Sequence, residues 1–72
     1  MDVDQVSDRD SFVEFATSMR NELQAGGETW ENVELPAFLE ALAAWARDWP
    51  EPFDANPWKH AAALMQAGAF YE

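Results

Sequence analysis

The sequence predicts an all-α protein, a small three-helix bundle with short loops. Apolar residues recur at i, i+3, i+4 and i+7 in three separate stretches, the spacing of one face of an α-helix. Residues that start or stop helices bound those stretches, among them Gly26-Gly27, Pro36, Pro50 and Asn56-Pro57. No stretch sustains the alternation of a half-buried strand, and neither Asn-Gly nor Asp-Gly, the commonest tight hairpin turns, occurs.

The chain has 72 residues, so the expectation is one helical domain over 1–72, with residues 1–7 polar and frayed. The first helix is placed at about 8–25. Ser7 followed by Asp10 has the form of a capping box, with Asp in place of the usual Glu. Acidic side chains at positions 8 and 10 also suit the positive end of the helix dipole. Phe12, Phe15, Ala16, Met19 and Leu23 form the apolar face, with Val13 at its edge. Gly26-Gly27 stops the helix, because a residue able to adopt positive φ is wanted there.

The second helix spans about 35–49. Leu35, Phe38, Leu39, Leu42, Trp45, Ala46 and Trp49 keep helical spacing without a gap. Pro36 falls in the first turn, where a missing N–H costs nothing, and Pro50 and Pro52 end the helix. Val33 and Phe38 are spaced to staple the chain around Glu34 as N-cap. After the loop "PEPFDANP", Asn56 as N-cap and Pro57 at the first position open a third helix over about 57–68. Its apolar positions are Trp58, Ala61, Ala62, Leu64 and Met65, with Gly68 as the candidate C-cap.

Composition narrows the function. There is no cysteine, which leaves neither a disulfide framework nor a thiolate metal site. The start, "MDVDQVSDRD", has neither a basic n-region nor an apolar h-region, so it does not read as a signal peptide. No apolar run reaches the ~20 residues of a membrane span. The expectation is a soluble cytoplasmic protein. Fourteen acidic residues stand against four basic ones, net −10. Such a surface repels nucleic acid phosphates and anionic lipid and attracts basic partners. Solubility alone explains the same charge.

No catalytic constellation is legible. His60 is the single histidine, and the scattered Ser7, Ser11, Ser18, Thr17 and Thr29 suit caps or solvated faces. The acids Asp2, Asp4, Asp8 and Asp10 fail as a calcium loop, because a loop starting at Asp2 requires an oxygen ligand at Val6, Gly at Ser7 and Glu at Val13. No enzyme activity, cofactor or metal is therefore expected. DNA mimicry has charge of the right sign, but the carboxylates are spread over termini and loops rather than ranked along one face.

Trp45, Trp49 and Trp58 lie on apolar stripes and are expected in the core, since aromatics dominate the energetics of small cores. Trp30 sits among Glu28, Glu31 and Glu34. Two roles compete for it: a lid over the gap between the first two helices, favoured by how little apolar surface so short a chain can expose, and a hook for a partner. The alanines Ala37, Ala41 and Ala44 on the second helix and Ala61, Ala63 and Ala67 on the third also form small-residue stripes. Either stripe suits a homodimer seam; high helix propensity on a solvent face explains them as well.

The pattern Phe12-x-x-Phe15, Trp30-x-Asn32, Leu35, Phe38-Leu39-Glu40-Ala41-Leu42, Trp45, Trp58 and Tyr71-Glu72 resembles a family of small bacterial proteins classed as a domain of unknown function. It covers nearly the whole chain; "W-x-N" and the terminal "YE" are its more distinctive pieces, and the loop before Trp58 is shorter than in that pattern. The resemblance implies an all-α fold and no established activity. It also implies that Asn32 caps the turn before the second helix by accepting from backbone N–H groups, and that Tyr71 buries its ring with the hydroxyl at the rim.

The functional expectation is a non-enzymatic module, monomer or homodimer, that binds a basic protein, in the manner of an inhibitor or immunity protein. The candidate partner-binding residues are Glu28, Trp30, Glu31 and Glu34, an aromatic within a charged rim. The alternatives are a homodimeric structural or assembly protein joined through an alanine-rich face, and a DNA mimic. Direct binding to nucleic acid or membrane is not expected.

Overall fold

A computed structural model describes residues 1–49 and 54–71. They form a short 3₁₀ turn at Val3–Gln5 followed by three helices, α1 (Arg9–Gln24), α2 (Leu35–Asp48) and α3 (Pro57–Phe70). The fold is the small all-α three-helix bundle read from the apolar spacing. The expected stops at Pro50 and Pro52, and the role of Glu72 in the terminal "YE", lie outside the described residues.

The N-terminus departs from expectation. Val6 is fully buried and Val3 nearly so, both inside the core with Phe15 and Met19. The expected fraying of residues 1–7 does not extend to these two valines, which are packed, while the other five residues of the segment are exposed. Two valines spaced by three residues share one side of the 3₁₀ turn, and burying a valine contributes about 1.5–3 kcal/mol. The polar residues between them hid this signal.

Helix α1 is capped one residue later than the sequence suggests. Asp8, not Ser7, is the N-cap: its Oδ1 accepts from Ser11 N at 2.8 Å, and Ser11 Oγ accepts in return from Asp8 N at 3.0 Å. A carboxylate accepts more strongly than a hydroxyl and suits the helix dipole. The Ser7 carbonyl is meanwhile held by Asn56 Nδ2 at 2.8 Å. At the other end Gly26 and Gly27 take φ of 121° and 60°. Gly26 N donates to Leu23 O and Gly27 N to Glu22 O, the bond pair of a Schellman stop.

Helix α3 begins as expected. Asn56 Oδ1 accepts from Trp58 N and Lys59 N at 2.9 and 3.3 Å, with Pro57 in the first turn. It does not stop at Gly68 but runs to Phe70. Gly68 is a packing glycine: a Cβ there would lie 2.7 Å from Cε2 and Cζ of Phe38, so any side chain requires the ring to shift.

α3 is the central element, packed most extensively along α2 and also against α1 and the 3₁₀ turn. Small residues let it approach its neighbours. Ala41 on α2 and Ala62, Ala63, Ala67, Gly68 and Ala69 on α3 are all buried. This corrects the reading of the alanines as a homodimer seam, because Ala41, Ala63 and Ala67 lie inside the bundle and Ala37, Ala44 and Ala61 are half-buried. Phe12, Trp30, Phe38, Trp45 and Met65 complete the core from its margins. Among the described residues no helix is long and apolar enough to cross a membrane.

Candidate protein-binding face

The connection between α1 and α2 carries the four candidate residues, and the structure separates their roles. Trp30 packs on Phe38 of α2 with ring centroids 6.3 Å apart and planes at 23°, and on Phe70 of α3 at 6.1 Å. Its Nε1 donates to Glu22 Oε2 on α1 at 3.1 Å. One indole thus bridges all three helices. This is the geometry of a lid, with the ring only half-buried. Glu28, Glu31 and Glu34 are exposed on the same connection.

Asn32 does something different from the expected cap on α2. Its Nδ2 donates to Gly68 O at 3.2 Å and to Tyr71 O at 2.9 Å, while Asn32 N and Glu31 N both donate to Ala69 O at 2.9 and 3.1 Å. Carbonyls at the end of α3 have no partner within the helix; the chain before α2 supplies one. Asn32 therefore closes α3, not α2, and Glu34 stands at the α2 N-cap position without a side-chain bond. Tyr71 N continues the helical pattern by donating to Ala67 O at 2.8 Å, and the Tyr71 hydroxyl donates to Asp48 Oδ2 at the end of α2. That bond, with burial and the Asp48 charge adding to it, raises the phenol above its ordinary value of 10.0. The "W-x-N" and terminal tyrosine pieces of the sequence pattern are thus one assembly in space.

Beside this assembly an apolar groove of about 270 Å³ opens between α1 and α2. Met19 and Leu23 of α1, Leu35 and Phe38 of α2, and Met65 of α3 line it, and Trp30 and Val33 line it from the connection. Among the described residues Arg20 is the single charged one in the lining. The lips remain in water: Leu35 is 66% exposed, and Leu23 and Val33 are 40% and 44% exposed; Leu39, one turn on from Leu35 and outside the lining, is 53% exposed.

The apolar residues of α2, continuous in helical spacing, do not all face the same way. The structure divides them. Phe38, Ala41 and Trp45 turn into the bundle, while Leu35, Leu39, Ala46 and Trp49 stay exposed and Leu42 lies between. The apolar arc is wider than α3 can cover, and that width was the legible signal. Two of the three tryptophans expected in the core also differ. Trp45 packs against the core, but Trp49, at the α2 C-cap, is 53% exposed, and Trp58 is 37% exposed. Each keeps an aromatic neighbour, Trp45 at 5.8 Å and Phe12 at 5.7 Å respectively.

The terminal assembly links the distinctive sequence pieces, and the family comparison covers the same segment. The chain belongs to the DUF7660 family of unknown function, whose sequence model matches residues 8–72. No curated protein and no solved structure matches. The DUF7660 match takes in the whole of α1, α2 and α3 and begins at the N-cap Asp8.

Proposed function

We propose that this member of DUF7660 is a cytoplasmic, non-enzymatic module that binds a basic protein, acting as an inhibitor or immunity protein does. The observation that supports the reading is an apolar groove with exposed lips beside a connection bearing exposed Glu28, Glu31 and Glu34. Contiguous exposed apolar surface with a polar rim is how protein-binding sites differ from ordinary surface. The net charge of −10 steers a basic partner toward it and fades as salt screens it. Trp30 contributes as the rigid back wall of the groove.

A second reading, self-pairing, draws on one observation: the α2 edge of Leu35 and Leu39 is apolar and open. Affinity capture from the host's lysate, washed at low and then high salt, tests the first reading. One stoichiometric basic protein released by salt is the expected result. Capture of the chain by itself alone, with a salt-stable dimer in sedimentation, overturns it in favour of self-pairing.

A further inference from the structure

We infer that the partner presents an amphipathic, predominantly basic α-helix, which lies in the groove between α1 and α2 in the place of a fourth helix. The inference rests on the protein-binding reading and specifies its ligand. Helices α1 and α2 form the walls and Met65 of the central α3 belongs to the lining, the arrangement into which a bundle accepts another helix. The open edge of α2, which shares Leu35 with the groove and continues beyond it, has a helical signature of its own. Leu35, Leu39, Leu42, Ala46 and Trp49 are spaced four, three, four and three residues apart. That 3.5-residue period is the seam of two helices crossing at about 20°. An extended peptide has no strand edge to join among the described residues, which removes capture by strand addition.

Charge selects the kind of helix. Trp30 and Val33 line the groove from the connection that also bears Glu28, Glu31 and Glu34, so lysine and arginine on the flanks of the incoming helix meet carboxylates there. A second copy of this chain would instead bring another net −10 to the contact. Arg20 on the α1 wall has one polar contact among the described residues, to Asn21 Oδ1 at 3.4 Å. It marks the place for a single acidic residue on an otherwise basic helix.

Two synthetic helical peptides sharing one leucine seam, one lysine-rich and one glutamate-rich, test this by NMR titration of the full chain. The lysine-rich peptide is expected to saturate at one per chain and to shift the amides of Leu23, Leu35 and Leu39; the glutamate-rich peptide is expected not to bind. Leu39→Glu should weaken binding at least tenfold, the fold-change of losing one buried leucine, although it adds negative charge. Leu35→Glu is the companion variant, and circular dichroism confirms that each remains helical. Equal binding of both peptides, or undiminished binding to both variants, overturns the helix-in-groove assignment. So does a concentration-dependent dimer abolished by Leu39→Glu, which makes a second copy the occupant. A lysate partner kept by Leu39→Glu but lost when Glu28, Glu31 and Glu34 are changed to lysine overturns the helix and leaves the protein-binding reading standing. Peptide binding with no lysate partner does the reverse.

Discussion

Asn32 shows how a single side chain can hold two ends of a chain together. By donating to the carbonyls of Gly68 and Tyr71, it satisfies groups that would otherwise face a half-buried corner unpaired. Asn32→Ala is expected to cost about 1–3 kcal/mol, and Asn32→Asp, which keeps the shape but removes the donor, should cost at least as much; chemical denaturation measures both. Gly68→Ala sets two effects against each other. Alanine gains up to about 1 kcal/mol in helix propensity, but its Cβ falls 2.7 Å from the Phe38 ring, and overpacking costs about 1–3 kcal/mol. Because Phe38 is itself pinned against Trp30, the steric effect wins, and a lower melting temperature is predicted. Trp30→Ala should cost about 3 kcal/mol, the lower end for removing a large aromatic, since the ring is half-buried. An unchanged melting temperature would count against the lid. At this scale the sequence was readable where a residue acts on its own neighbours, as Asn56 does. It was opaque where the partner lies far along the chain: nothing local to Asn32 points to Tyr71, and Gly68 reads as a stop until Phe38 is seen beside it.

Helices α1 and α3 were legible because their signals are local. Gly26-Gly27 and Asn56-Pro57 act within one turn of where they stand, and the one-residue shift of the α1 cap follows from Asp8 outcompeting Ser7. That cap has a pH signature. Two hydrogen bonds, from the Ser11 backbone first and its hydroxyl second, hold the Asp8 carboxyl below its ordinary value of 3.8. A carboxyl depressed on folding contributes stability above its unfolded value, and that contribution is lost as pH falls below about 3.8 through the folded value. Asp8→Asn should flatten the acid limb of the stability curve in this window, read by thermal melts across pH. Helix α2 was legible in extent but not in orientation. Its apolar arc is broad enough to fill two interfaces, and only the position of α3 decides that Phe38, Ala41 and Trp45 turn inward. Leu35→Glu and Leu39→Glu therefore change stability by no more than about 0.5 kcal/mol, the usual range for surface sites, as denaturation will show. A large loss would mean that this edge belongs to the core.

The whole molecule is organised around α3, with alanines and a glycine spent on close packing and the larger apolar side chains of α2 and the connection left at the margin. A protein of 72 residues has little apolar surface to spare, and here a continuous share of it stays outside, between α1 and α2. In the proposed site the acidic residues Glu28, Glu31 and Glu34 were legible one by one and are exposed, whereas the open apolar lip of the groove is formed by Leu23, Val33 and Leu35, with Trp30 half-buried behind it. The α1–α2 groove could not be read from spacing, because a groove is a relation between helices and the sequence records each helix alone. The most direct test of its role is affinity capture from the host's lysate with the wild-type chain and Leu39→Glu side by side, washed at low and then high salt. One basic protein, retained stoichiometrically at low salt by the wild type and absent from the variant, is the expected result. The same captured proteins from both chains, or none from either, would contradict it.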